Sequence, residues 1–289
     1  MVLADGSQAA FVAGAVAELA RHGHAWRRAF GAGLGAHVAA LAAVGSAHEA
    51  EERWQAQADA GCPLLATRIA GAQALHHADD GVLVLPDAWR LAGWLDPAAL
   101  EAFLADAGAL PGRLADADAS CAVAVEDLTA GAASWLELGK VAAGDAAAGV
   151  RAAATFAGGW GPSAMAGEHA ALRWGGVEAA LRCDPPVADA RSWDVVCGFP
   201  VPAVPRPGIA GSIFELVQRR AELASAATLP RWLAGCDETR LWVPTAAAYQ
   251  AWAGRDGAEL GVEYPLPWER NGELLGGLIS FGRFVASAE

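Results

Sequence analysis

Chemistry is suggested first by the stretch "FGAGLGAHVAALAAVG", residues 30–45. A short apolar run reaches Gly31-Ala32-Gly33-Leu34-Gly35, and an Ala-rich helical pattern follows at once. Glycines spaced this way between a strand and a helix are the layout of a nucleophile elbow, G-x-S-x-G, whose tight turn lifts a serine oxygen toward an acyl substrate. The middle position here is Gly33, which has no side-chain oxygen, so no acyl-enzyme can form on it. Glycine tolerates the left-handed backbone of such a turn, so the turn can persist without the reaction.

The other chemistry-bearing residues have plainer readings. Ser7 stands where a helix beginning near Gln8 needs an N-cap. Ser163, in "GPSAMAG", has no strand pattern before it, and Pro162 suits a loop. Asp184, in "CDPPV", is a turn-forming position before Pro-Pro, with reach back to the elbow as the alternative. His22 and His24 flank Gly23 at a helix end, where the dipole favours cationic side chains. His37 lies one turn into the helix after the elbow, in a position to face it. His76-His77-Ala78-Asp79-Asp80 contains metal-ligating types, but adjacent side chains diverge and no further ligand keeps a suitable spacing. A solvated loop is expected there, and no metal or cofactor.

These residues must be held by alternating short strands and helices. "MVLA" reads as a strand; "SQAAFVAGAVAELARHG" places Phe11, Ala15, Val16 and Leu19 on one helical face and stops at Gly23. "AWRRAFGA" reads as a second strand, and the next helix carries Leu34, Val38 and Leu41 on one face. A strand–helix–strand–helix opening implies a parallel sheet packed with helices. From Glu49 to about Gly108 the pattern is mainly helical, punctuated at Gly61-Cys62-Pro63, Pro86 and Pro97. "SCAVAVEDL" and "ASWLEL" are strands joined by "TAG", and "GDAAAGVRAAATFAGG" is a helix of small residues. "SWDVVCGFPV" is a buried strand and "PAVPRPG" a loop. The helices "SIFELVQRRAELASAATLPRWLA" and "TAAAYQAWA" follow, then a last helix in "NGELLGGLISFGRFVASA".

The bulk composition narrows the classes further. The 289 residues are 54% hydrophobic and 18% charged, which is globular rather than disordered. A net charge of −13 argues against a nucleic-acid partner, which needs clustered Lys and Arg, and disfavours a purely electrostatic hold on anionic lipid. No apolar run approaches the roughly 20 residues of a spanning helix. The opening "MVLADGSQAAFV" lacks a basic leader region, so a cytoplasmic protein without a signal peptide is expected. Five scattered cysteines, an odd number, fit a reducing compartment and a core-filling role. The 12 tryptophans are expected mostly in the core or lining a groove, with some available for a binding surface.

Taken in order, these landmarks resemble the patatin-like phospholipase family over most of the chain. "VLADGSQAAFVAGAVAEL" stands where the family has its oxyanion loop and first helix, and "FGAGLGAHVAALAA" where it has the elbow. "CAVAVEDLTAGAASWLELG" is similar to the middle hairpin. "VRAAATFAGGWGPSAMAGEHAALRWGGVEA" is similar to the segment leading into the Asp-Gly-Gly motif, with Gly175-Gly176 as its glycine pair, and "WDVVCGFPVP" to the strand after it. The resemblance implies one domain over residues 1–289, a three-layer α/β/α sandwich around a mainly parallel sheet. It also implies a lipid acyl hydrolase with a Ser–Asp dyad. The functional positions depart from that pattern together. Gly33 replaces the serine and Trp174 the aspartate, and an indole N–H is only a donor. The oxyanion loop is reduced to Gly6 between Asp5 and Ser7, with Gln8 where a basic residue would stand. Asp5 sets negative charge where negative charge would develop.

The expected function is therefore a catalytically inactive, patatin-like pseudoenzyme acting as a regulatory or structural partner of another protein, an active relative being one candidate. An acyl-ester hydrolase with a relocated nucleophile is the alternative, and a lipid or acyl-chain binding module, peripheral to a lipid surface, is the third reading.

Overall fold

The computed structural model describes residues 1–65, 95–155, 159–161, 163–165, 171–184, 192–203, 213–234, 238–256 and 272–287. The chain runs β1 (Val2–Ala4), α1 (Gln8–Arg21), β2 (Arg28–Gly33), α2 (Gly35–Ala43) and α3 (Ala47–Asp59). Beyond residue 94 come α4 (Pro97–Phe103), α5 (Leu110–Asp116), β3 (Ser120–Asp127), β4 (Ala132–Glu137) and α6 (Ala143–Ala154). Next are β5 (Ser163–Met165), β6 (Ala171–Trp174), α7 (Val177–Arg182) and β7 (Trp193–Cys197), then α8 (Ile213–Leu233), β8 (Thr239–Trp242), α9 (Ala246–Asp256) and α10 (Gly272–Ala286). The expected strand–helix–strand–helix opening is present, as are the β3–β4 hairpin and the late helices. The sequence reading did not single out α5, α7, β5, β6 or β8. Each is at most seven residues long, too short to display a period.

β1 lies at the centre of the sheet. It pairs in parallel with β2, Leu3 opposite Ala32 and Ala4 opposite Gly33, and with β7, Leu3 opposite Cys197. β3 extends the parallel array beyond β2, and β8 extends it beyond β7. A strand has two edges. β4 covers one edge of β3 along Ala122–Asp127, so β6, which pairs antiparallel with Glu126 and Asp127, takes the edge that β2 occupies at residues 120–123. β6 thus lies in line with β2 and runs back toward its carboxyl end.

Alternation along the strands sends side chains into two cores. Val2, Ala4, Cys121, Val123 and Val196 face α1, α2, α3, α6 and α10, while Leu3, Phe30, Ala32, Ala122, Val195 and Cys197 face α7 and α8. Helices on both faces of a mainly parallel sheet make the three-layer α/β/α sandwich that the sequence led us to expect. On the first face α1 packs on α10, the Phe11 and Phe281 rings meeting edge-on at 5.4 Å. The buried Glu51 of α3 ties both helices down by accepting from Arg21 and Arg283.

Trp54, Trp160, Trp193, Trp232, Trp242 and Trp252 are buried, as the core reading of the tryptophans expects, while Trp26 and Trp135 are half-buried. Cys62, Cys121, Cys183 and Cys197 are buried. Among the described residues no helix is long and apolar enough to cross a membrane.

Trp54 joins α3 to α4 through an edge-on contact with Phe103, centroids 5.4 Å apart. Trp54→Ala should cost about 3–5 kcal/mol in urea denaturation. Trp54→Phe keeps a ring there and removes an indole N–H without a hydrogen-bond partner among the described residues, so it should cost much less.

Candidate functional site

The three segments that carry the resemblance converge at the carboxyl ends of β1 and β2, where ligands bind in open α/β sheets. β2 ends in Gly33, whose φ of +62° is the left-handed turn an elbow requires, and α2 begins two residues later. The strand–turn–helix shape predicted for residues 30–45 is therefore present. What the turn lacks is room. A Cβ at position 33 would lie 2.8 Å from the Ala4 carbonyl carbon, and it would overlap both the Ala4 oxygen and Asp5 Oδ1. The Asp5 carboxylate occupies the volume that a side chain at the elbow would need.

Asp5 in turn holds the third segment. Both of its oxygens accept the Val177 N–H, at 3.2 and 3.3 Å. Val177 is the first residue of α7, and Gly176 at the N-cap has φ +88° and no side chain to cap the helix. Helix N-termini leave N–H groups without partners, and they favour an acceptor that is negative or readily becomes so. Asp5 supplies that acceptor from 172 residues away in the sequence. Gly175 and Gly176 are held in place by α6: a Cβ at Gly175 would overlap the Ala153 backbone, and the Gly176 N–H donates to Ala153 O at 3.0 Å.

The rest of the first loop is also committed to structure. Gly6 has φ +52°, and Gln8 opens α1 with its Cβ against Gly198 just past β7. Ser7 occupies the N-cap position as expected, but its hydroxyl makes no cap bond. The opening N–H groups of Gln8, Ala9 and Ala10 bond instead to the Asp5, Gly6 and Ser7 carbonyls. The carboxylate with the strongest claim on the elbow is thus the one judged an obstacle to catalysis. Its role as a cap for α7 escaped the sequence reading because the contact spans 172 residues. A signal was available: an aspartate closing a buried apolar strand needs a donor, and the glycine before α7 leaves one unsatisfied.

Burial pushes the Asp5 carboxyl up to about 7; the Val177 N–H works against the rise and the Glu178 charge adds to it. A fixed negative charge at the loop, as read from the sequence, is therefore replaced by a group that titrates near neutrality.

The other sequence candidates lie elsewhere. His37 does not face the elbow. Its ring is buried, edge-on to Phe103, with Nε2 3.1 Å from Asp106 Oδ1. Burial tends to raise Asp106, but the His37 hydrogen bond and charge, with the Arg53 charge, outweigh it and hold the carboxyl below its usual range. Ser163 heads the short strand β5, and the β6 backbone sets Trp174 opposite Glu126 next to Gly175. Asp184 is exposed beyond the end of α7, its carbonyl accepting from Trp135 Nε1 at 3.1 Å. His22 caps α1 3.5 Å from Glu18, and His24 Nδ1 lies 3.2 Å from Asp194. The His76–Asp80 cluster lies outside the described residues. Among the described residues no group of His, Cys, Asp and Glu is arranged to hold a metal ion.

No known family model matches this chain, and no curated protein matches it by sequence.

The raised Asp5 carboxyl has a defined sign. Its contribution to stability is complete below its ordinary value of 3.8 and is lost as pH rises through about 7, a total on the order of 4 kcal/mol. Asp5→Asn keeps an acceptor for Val177 and carries no charge. Urea denaturation from pH 5 to 8 should show the fall in the parent stability flattened in the variant, which becomes the more stable protein at pH 8. An unchanged slope would remove Asp5 as its source.

Proposed function

We propose that this chain is a degenerate patatin-like protein that has kept the elbow turn and lost the reaction, and that it works by binding rather than by catalysis. The observation that carries the reading is the Asp5 carboxylate packed onto Gly33. The turn retains the left-handed backbone of a nucleophile elbow, while the space a nucleophile would need is taken by a group that caps α7. Hydrolysis by this route needs a nucleophile, its base and donors for the oxyanion. At this site the first is a glycine and the Val177 N–H is already bonded to Asp5. A selected scaffold role explains why the left-handed turn persists without its serine. The role that fits is that of a regulatory or structural protein partner, in a protein without a spanning helix among its described residues.

Hydrolysis of a short-chain p-nitrophenyl ester series, with fluorophosphonate labelling, tests the reading. The parent protein should be flat and unlabelled; turnover that survives purification, or label on one serine, overturns it. Restoring the serine alone should not restore activity. Gly33→Ser places a side chain against the Ala4 carbonyl and Asp5 and forces an L-residue to a positive φ. It should cost about 3 kcal/mol or more in urea denaturation and give no turnover above background. Gly33→Ser with Trp174→Asp should stay equally inactive, because Asp5 still fills the turn.

A further inference from the structure

The opposite ends of the strands carry a second, differently built site. At the amino ends of β2, β7 and β8 lies a cleft of about 290 Å³, bounded by the segment 24–28, Phe30, Trp193, Asp194 and Arg240. The chain has 20 Lys and Arg against 33 Asp and Glu, yet this one cleft is lined by Arg27, Arg28 and Arg240 with a single carboxylate, Asp194.

Asp194 is fully engaged. Its Oδ2 accepts from Trp26 Nε1 at 2.8 Å and lies 3.2 Å from His24 Nδ1, while Oδ1 takes Arg240 Nε at 2.8 Å and the second Arg240 nitrogen at 2.7 Å. Burial works to raise its carboxyl, but the hydrogen bonds from Trp26 and His24 and the charges of Arg240 and His24 hold it below its usual range. Asp194 therefore orients the cleft wall and neutralises Arg240. It leaves Arg27 and Arg28 without a carboxylate partner among the described residues.

The remaining wall is aromatic. Phe30 and Trp193 stand 5.6 Å apart, the Arg28 guanidinium lies 5.8 Å from the Phe30 centroid, and Trp26 is half-buried beside them. Trp193 is buried, and its indole N–H has no hydrogen-bond partner among the described residues, an uncommon state for a buried donor. Guanidinium groups pair with carboxylate or phosphate oxygens in a fork and stack on planar rings, whereas an acyl chain or a cation gains nothing from them. Small-molecule sites combine apolar, aromatic walls with a few convergent polar groups, and the volume is at the small end of such sites.

We infer that this cleft binds a planar organic anion, an aromatic ring bearing a phosphate or carboxylate, with the oxyanion on Arg27 and Arg28 and the ring against Trp26, Phe30 and Trp193. The site is independent of the non-catalytic reading above, because it lies at the other ends of the strands.

Titration of the full chain with 1-naphthyl phosphate, followed by calorimetry and tryptophan fluorescence, tests the assignment. Saturable submillimolar binding is expected, weakening as salt is raised. It should be at least about tenfold tighter than binding of 1-naphthol or inorganic phosphate. Arg27→Gln with Arg28→Gln should weaken it about tenfold or more and leave the melting temperature unchanged, since both side chains are exposed. Equal affinity for 1-naphthol overturns the role of the arginines, and equal affinity for inorganic phosphate overturns that of the rings. No saturable binding, or binding unaltered in the double variant, overturns the site itself.

Discussion

The bond from the Val177 N–H to the Asp5 carboxylate joins three parts of this fold that lie far apart in sequence. β1 is the central strand, and the residue that ends it reaches across the end of β2 to the first turn of α7. Gly33 must be a glycine for that reach to be possible. Gly175 and Gly176 must let the β6–α7 junction sit against α6 so that the N–H arrives where the carboxylate is. Remove the carboxylate and α7 loses its cap; add a side chain at the elbow and the carboxylate has nowhere to stand. One buried acceptor thus fixes the geometry of three segments.

Much of this was legible in the sequence, for identifiable reasons. Long periodic stretches such as Gln8–Arg21 and Gly272–Ala286 announced themselves, and so did the buried strands at Ser120–Asp127 and Trp193–Cys197. The turn at Gly33 was legible because glycine there permits a left-handed backbone, while Gly31 and Gly35 permit close approach of α2 to β1 and β2. What stayed hidden was pairing. His37 is one turn from the elbow in sequence, yet its ring is claimed by Asp106, a residue 69 positions away. Ser7 has the right type for a cap, but carbonyls of the preceding turn did the work. Asp5 read as a misplaced charge because nothing local shows the donor that it serves. Partner choice over such separations is decided by packing, which periodicity does not encode.

A common logic runs through four buried and half-buried carboxylates. Glu51 gathers Arg21 and Arg283, Asp106 gathers His37 and Arg53, and Asp194 gathers Trp26, His24 and Arg240. Each sits where two or three elements meet and replaces its lost hydration with donors from all of them. Asp5 is the exception, with a single backbone N–H, and its carboxyl is pushed up toward neutrality. Deeper burial and the lack of a charged or side-chain donor together separate it from Asp106 and Asp194, whose carboxyls are held low.

The contact between α1 and α10 also bears on how the chain reaches this state. Phe11 meets Phe281 across nearly the whole sequence, and β1 cannot gain its second neighbour until β7 exists. On a ribosome adding about 5–20 residues per second, Phe11 and its helix face would wait on the order of 10–50 s for their cover. For that interval the first helix is an apolar surface without a home. The nascent chain must either shelter it in a collapsed, provisional packing or hand it to a chaperone, and the first core can close only when the end of α10 emerges.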